Sequence, residues 1–199
     1  KITIDTQKLS IGEHKIKLMI NAGDNHIYSS DEKTITISPK GADKTETKPN
    51  VVPGTEEKFD GNKVSVNLGG NTSGTVSVAT FTSQPTGTNS FSLPGLGKYL
   101  QIEADSAIEG YMDGTEIRVY YTDAEVSNAG IVESSLRLYF YNDTSGAWEI
   151  YDTPKGGVDT TANYVWALTD HFSIWGIFGS APTTSNGGGY YRNTPVVVA

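Results

Sequence analysis

There is no cysteine anywhere in these 199 residues, which excludes disulfides, thiolate metal sites and a thiol nucleophile. That absence leaves the redox compartment open, since a secreted protein need not use cystine. No apolar run approaches the ~18 residues of a membrane-spanning helix, and no signal-peptide pattern is visible. Positive charge is scarce as well: 15 basic against 23 acidic residues give a net charge of −8 with no long block of one sign, which argues against nucleic acid as a partner. The three histidines, His14, His26 and His171, are scattered, and their spacing makes no metal-binding pair. Neither a nucleophile elbow nor a phosphate loop is present, so a conventional enzyme is not expected.

What is abundant is glycine, threonine, serine and tyrosine, with charged residues at only 19%. Turn signals recur between short alternating runs, and the balance is that of an all-β protein. The densest pattern runs from Ser135 to Gly179 and holds all three tryptophans. Leu136, Leu138 and Phe140 alternate with Arg137, Tyr139 and Tyr141. Asn142 to Gly146 turns the chain, and Trp148 and Ile150 alternate with Glu149 and Tyr151, which predicts a hairpin. Tyr164, Trp166 and Leu168 share one face of a further strand, and an apolar strand follows His171.

Upstream, Val64, Val66 and Leu68, then Val76 and Val78, then Ile117, Val119 and Tyr121 continue the alternating pattern of further strands, each set on one face. Asp123 to Ser134 contains a short turn or helical segment. We expect nine or ten strands between Phe59 and Phe178, enough for a complete β-sandwich over 59–179. Residues 39–58, rich in Lys, Thr, Glu, Pro and Gly, read as a linker. Residues 1–38 read as three or four strands, too few to close a sandwich, so something must complete that sheet. Residues 180–199 read as a flexible tail whose last part, Thr194, Pro195, Val196, Val197 and Val198, is a candidate assembly strand. Because Lys1 already falls in a strand pattern, the chain is expected to be a processed product or a piece of something longer.

Three resemblances rest on quoted residues. Leu136 to Asn142, Trp148, Val158 to Thr161, Val165 to Ala167 and His171 to Ser173 resemble the β-rich repeats of surface proteins from methanogenic archaea, and the likeness extends over about residues 93–179. It implies a structural module of the cell envelope, extracellular and repeated in a filament or surface layer. Leu9 to Leu18 with Thr34 to Ile37 resembles the last strands of an immunoglobulin-like or PKD-like domain. His171-Phe172-Ser173 before an apolar strand is similar to the self-cleavage site of ZU5-type domains. That similarity implies Ser173 as nucleophile, His171 as base and Phe172–Ser173 as the scissile bond; the alternative is that the tripeptide merely packs.

Other candidates come from residue type. Asn71 and Asn142 head glycosylation sequons in expected turns. Asp105, Asp113, Asp123, Asp143 and Asp159 lie near turns and offer oxygen for calcium, without a dense ligand spacing. Tyr120, Tyr139, Tyr141 and Tyr151 either line a carbohydrate-binding face or pair across strands. The reading adopted is a non-catalytic structural subunit that associates head-to-tail with copies of itself or with other envelope proteins, without a cofactor. The alternatives are an adhesion module and an autoproteolytic domain.

Overall fold

The computed structural model describes residues 9–21, 27–108, 110–152 and 154–183. Their regular structure is almost entirely β, in antiparallel sheets. Two large sheets stack face to face as a β-sandwich. One has six strands: β5 (Lys44–Val51), β8 (Gly74–Phe81), β9 (Gly95–Ala104), β11 (Arg137–Asn142), β12 (Ala147–Ile150) and β15 (Ile174–Phe178), in the order β12-β11-β15-β9-β8-β5. The other has five: β6 (Glu56–Phe59), β7 (Val64–Asn67), β10 (Thr115–Tyr120), β13 (Gly156–Asp159) and β14 (Tyr164–Thr169), in the order β13-β14-β10-β7-β6.

The period-2 positions read from the sequence fill the space between the sheets. Val64, Val66, Leu68, Ile117 and Val119 from the five-stranded sheet meet Val76, Val78, Leu138, Trp175 and Ile177 from the six-stranded one. This two-sided burial of alternating apolar residues supplies most of the drive to fold. The predicted hairpin forms with Tyr141 opposite Trp148 and Tyr139 opposite Ile150. The segment after Tyr121 forms a seven-residue helix, α1 (Asp123–Ala129), because Thr122 and Glu125 make a reciprocal capping box and Gly130 closes the other end in the left-handed region.

The expected linker is not one. Residues 44–51 pair with β8 along the edge of the six-stranded sheet, Lys44 opposite Thr80 and Lys48 opposite Val76, and 56–59 pair with β7. Their polarity follows from edge position: one flank of each strand is open, and β5 carries Pro49 and a bulge with Asn50 at φ 57°.

A second difference lies in the outer face of the six-stranded sheet. Tyr139 and Tyr141, read from the sequence as exposed, are buried, together with Trp148 and Phe178. The loop between β8 and β9 roofs them. Phe91 packs against Tyr139 and Phe178 at ring distances of 5.0 and 4.9 Å. Asn89 pins the loop: its backbone N–H donates to the Tyr141 hydroxyl, its side-chain amide donates to the Gly146 carbonyl, and its own carbonyl accepts from the Trp148 indole. This sheet is therefore apolar on both faces.

Candidate functional site

The N-terminal strands form a two-stranded ribbon, not one sheet of a sandwich. β1 (Gly12–Ile16) pairs with β4 (Lys33–Ile37), and β2 (Met19–Asn21) pairs with β3 (Ile27–Ser29). Between the two halves, Ser30 N–H donates to the Leu18 carbonyl and Leu18 N–H to Ser30 Oγ, so pairing continues across the irregularity.

The base of this arm is built onto the sandwich. Ile11 packs on Ala79 and Phe81, its N–H donates to Glu103 Oε2 at 2.8 Å, and Glu13 N–H donates to Thr47 Oγ1. Gly12 is required there. Its φ is +115°, and a Cβ would collide with the side chains of Ser77 and Thr47.

The outer half of the arm has the opposite character. Leu18, Met19, Ile20, Ile27 and Tyr28 are 40, 64, 52, 61 and 62% exposed. Strands β2 and β3 contain no charged residue, and among the described strands they form a two-stranded sheet with each other. An isolated two-stranded ribbon is marginal in water, and an uncharged edge is a template for another strand. The sandwich edges are protected by comparison: β5 by Pro49 and its bulge, β6 by Glu56, Glu57 and Lys58, β12 by Glu149 and β13 by Asp159. The candidate strand Thr194 to Val198 and His26 lie outside the described residues.

His171, Phe172 and Ser173 sit beside the hairpin, between two clefts of about 390 and 240 Å³. The imidazole lies among Phe140, Tyr151 and Trp175. Its Nδ1 faces Asp170 Oδ1 at 2.9 Å and Thr169 Oγ1 at 3.5 Å. The His171 hydrogen bond holds the Asp170 carboxyl below the ordinary range. Ser173 Oγ instead donates to the Tyr141 carbonyl at 2.9 Å, and the Ser173 carbonyl accepts from Ile102 N–H. The imidazole–hydroxyl contact that activation requires is not formed, and neither Phe172 nor Ser173 has a positive φ. Ser173 thus fastens one strand end to its neighbour.

The remaining candidates are dispersed. Asn71 is exposed in its turn, and its side-chain carbonyl accepts from Thr72 Oγ1. Asn142 has its amide nitrogen on Glu149 at 2.7 Å and its oxygen on the Thr144 and Ser145 N–H groups, so its side chain shapes the hairpin turn. Asp105 caps Thr75 N–H, Asp123 accepts from Asn163, and Asp159 accepts from Thr161 and Ala162. No group of three or more His, Asp or Glu that could hold a metal ion occurs among the described residues. None of their helices is long and apolar enough to cross a membrane.

A cavity of about 390 Å³ opens at one end of the sandwich, floored by Val64, Phe81, Tyr99 and Leu100. Its rim charges are already paired: Lys44 with Glu46 and Asp60, Lys63 with Asp60, and Lys98 with Glu125 at 2.8 Å. Burial pushes the Glu125 carboxyl up, but Lys98 and the Thr122 N–H outweigh it and leave it below the ordinary value. This network clamps β5 to the turn after β6 and β9 to α1. The links that matter for the clamp, Lys44 to Asp60 and Lys98 to Glu125, join residues far apart in the chain, and no local pattern in the sequence marks them.

No protein-family model, curated protein or solved structure matches this chain.

Proposed function

We propose that this chain is a non-catalytic structural subunit of an extracellular assembly, joined to neighbouring copies by backbone pairing along open strand edges. The observation that carries the reading is the contrast between the arm and the sandwich. Every sandwich edge is blunted by proline, charge or a bulge, whereas β2 and β3 carry no charged residue and the outer half of the arm exposes five large apolar residues. Pairing the arm with a strand of a second copy would satisfy its backbone groups and bury Ile20 and Tyr28 together. The β2 edge of one copy pairing with the β3 edge of the next would use two different surfaces, so the contact would be heterologous and build an open fibre or sheet unless its rotation closes a ring.

The resemblance of residues 93–179 to envelope repeats of methanogenic archaea supplies the cell-surface part of the proposal. Anchoring of the arm's base through Ile11, Gly12 and Glu13 fits a load-bearing connection. Negative-stain electron microscopy of the intact chain, beside a variant with residues 17–31 replaced by a short Gly-Asn turn, tests it. Oligomers or fibres lost in the shortened variant support the proposal. Identical particles from both would overturn it.

A further inference from the structure

The outer face of the five-stranded sheet differs from that of its partner: none of its outward aromatic residues joins an apolar cluster. Its side chains form regular cross-strand rows. Trp166 lies between Gly157 and Arg118, Tyr164 between Asp159 and Tyr120, and Leu168 beside Glu116. Gly157 sets the attitude of the tryptophan. A Cβ there would lie 3.1 Å from Trp166 Nε1 and 3.4 Å from two ring carbons, so the indole lies down across the glycine with its other face outward.

The polar groups between the rings are held rigidly. Arg118 donates through Nε and Nη2 to both oxygens of Glu116, at 3.0 and 2.8 Å, and its guanidinium lies 5.0 Å from the Tyr164 ring centre. Tyr120 donates to Glu56 at 3.2 Å and packs on Tyr164 at 5.6 Å. Partly exposed aromatic side chains therefore alternate with fixed planar donors and acceptors across this face.

We infer that this face binds a neutral polysaccharide, with sugar rings lying on Trp166 and Tyr164 and hydroxyls reaching Arg118 and Glu116. A pyranose has an apolar C–H face suited to an aromatic ring, and an edge of hydroxyls that both donate and accept. A protein partner fits less well, because it would have to desolvate the Arg118–Glu116 pair. Glu56, Glu116 and Asp159 would repel the phosphates of a nucleic acid. A sugar chain leaves the ion pair partly in water while covering the rings.

Affinity electrophoresis of the intact chain through gels containing hydroxyethyl cellulose, xylan, laminarin, mannan or dextran tests the inference. Retardation is expected in at least one gel. Trp166→Ala should weaken it about tenfold or more, the loss expected when one stacking platform is removed. Gly157→Ala, which tilts the indole without deleting it, should weaken it less, and Arg137→Gln on the other sheet should leave it unchanged. Thermal melts establish that each variant is folded. Absence of retardation in every gel, or retardation that survives both Trp166→Ala and Gly157→Ala, would overturn the inference. Loss of self-association in Trp166→Ala without any retardation would overturn it too, by marking the face as a protein contact.

Discussion

Replacing Phe91 by alanine should destabilise the sandwich although Phe91 belongs to no strand. Its ring stands 5.0 Å from Tyr139 and 4.9 Å from Phe178, and it roofs a cluster that includes Tyr141 and Trp148. A fully buried Phe→Ala change costs about 3–5 kcal/mol. Phe91 is only half-buried, so about half of that, ~2 kcal/mol, is expected from lost transfer and contact energy. For a domain of this size ~2 kcal/mol lowers Tm by about 4–8 °C. The hydrogen bonds of Asn89 then hold the loop near its middle without the ring beside them, so residues 82–94 should also become more susceptible to proteolysis. Differential scanning calorimetry with limited proteolysis measures both, and Thr86→Ala, exposed in the same loop, should stay within about 0.5 kcal/mol of the parent. A Tm shift below about 1 °C for Phe91→Ala, against the expected several degrees, would show that the loop is not the roof described.

Two further outcomes follow from the same geometry. Burial pushes the phenols of Tyr99, Tyr139, Tyr151 and Tyr164 above their ordinary value, and Tyr121 rises through burial and its bond to Glu133. A phenol whose pKa is raised by folding contributes stability that is complete below the unfolded value of about 10 and is lost as pH climbs through the folded values. Phenolate absorbance should therefore show a group of tyrosines ionising late and together with unfolding; uniform titration of all tyrosines in a still-folded protein would contradict this. Because the Ser173 hydroxyl is directed to Tyr141 and not to His171, intact-mass measurement should return the uncut chain, and a fragment beginning at Ser173 would refute that arrangement.

Much of the sandwich was legible because alternation is a local signal. Val64, Val66, Ile117, Val119, Leu136 and Leu138, alternating strand positions in the sequence, all lie in the core. The failures share a cause. Lys44 to Val51 looks like linker because an edge strand with one open flank tolerates Lys, Thr and Pro, and its ladder partner β8 is more than twenty residues away. Tyr139 and Tyr141 looked exposed because the pattern registers which face a residue takes, not whether a distant loop covers it. In the arm, the sequence revealed strands and a missing sheet partner, but the ribbon needs the register of β1 with β4 and β2 with β3. The residues His171, Phe172 and Ser173 are adjacent in sequence, yet their side chains point to different partners, which no local motif records.

Strands β2 and β3, which carry no charged residue, are proposed to join copies of this chain. Sedimentation velocity across a wide concentration range tests it most directly, comparing the intact chain with the double substitution Ile20→Lys and Tyr28→Lys. These residues face each other on β2 and β3 and are half or more exposed, so the lysines break no core and blunt the tip as natural edges are blunted. The account predicts a sedimentation coefficient that rises with concentration for the intact chain, and a monomer at every concentration with an unchanged Tm for the variant. A monomeric intact chain throughout, or association that persists undiminished in the variant, would contradict it.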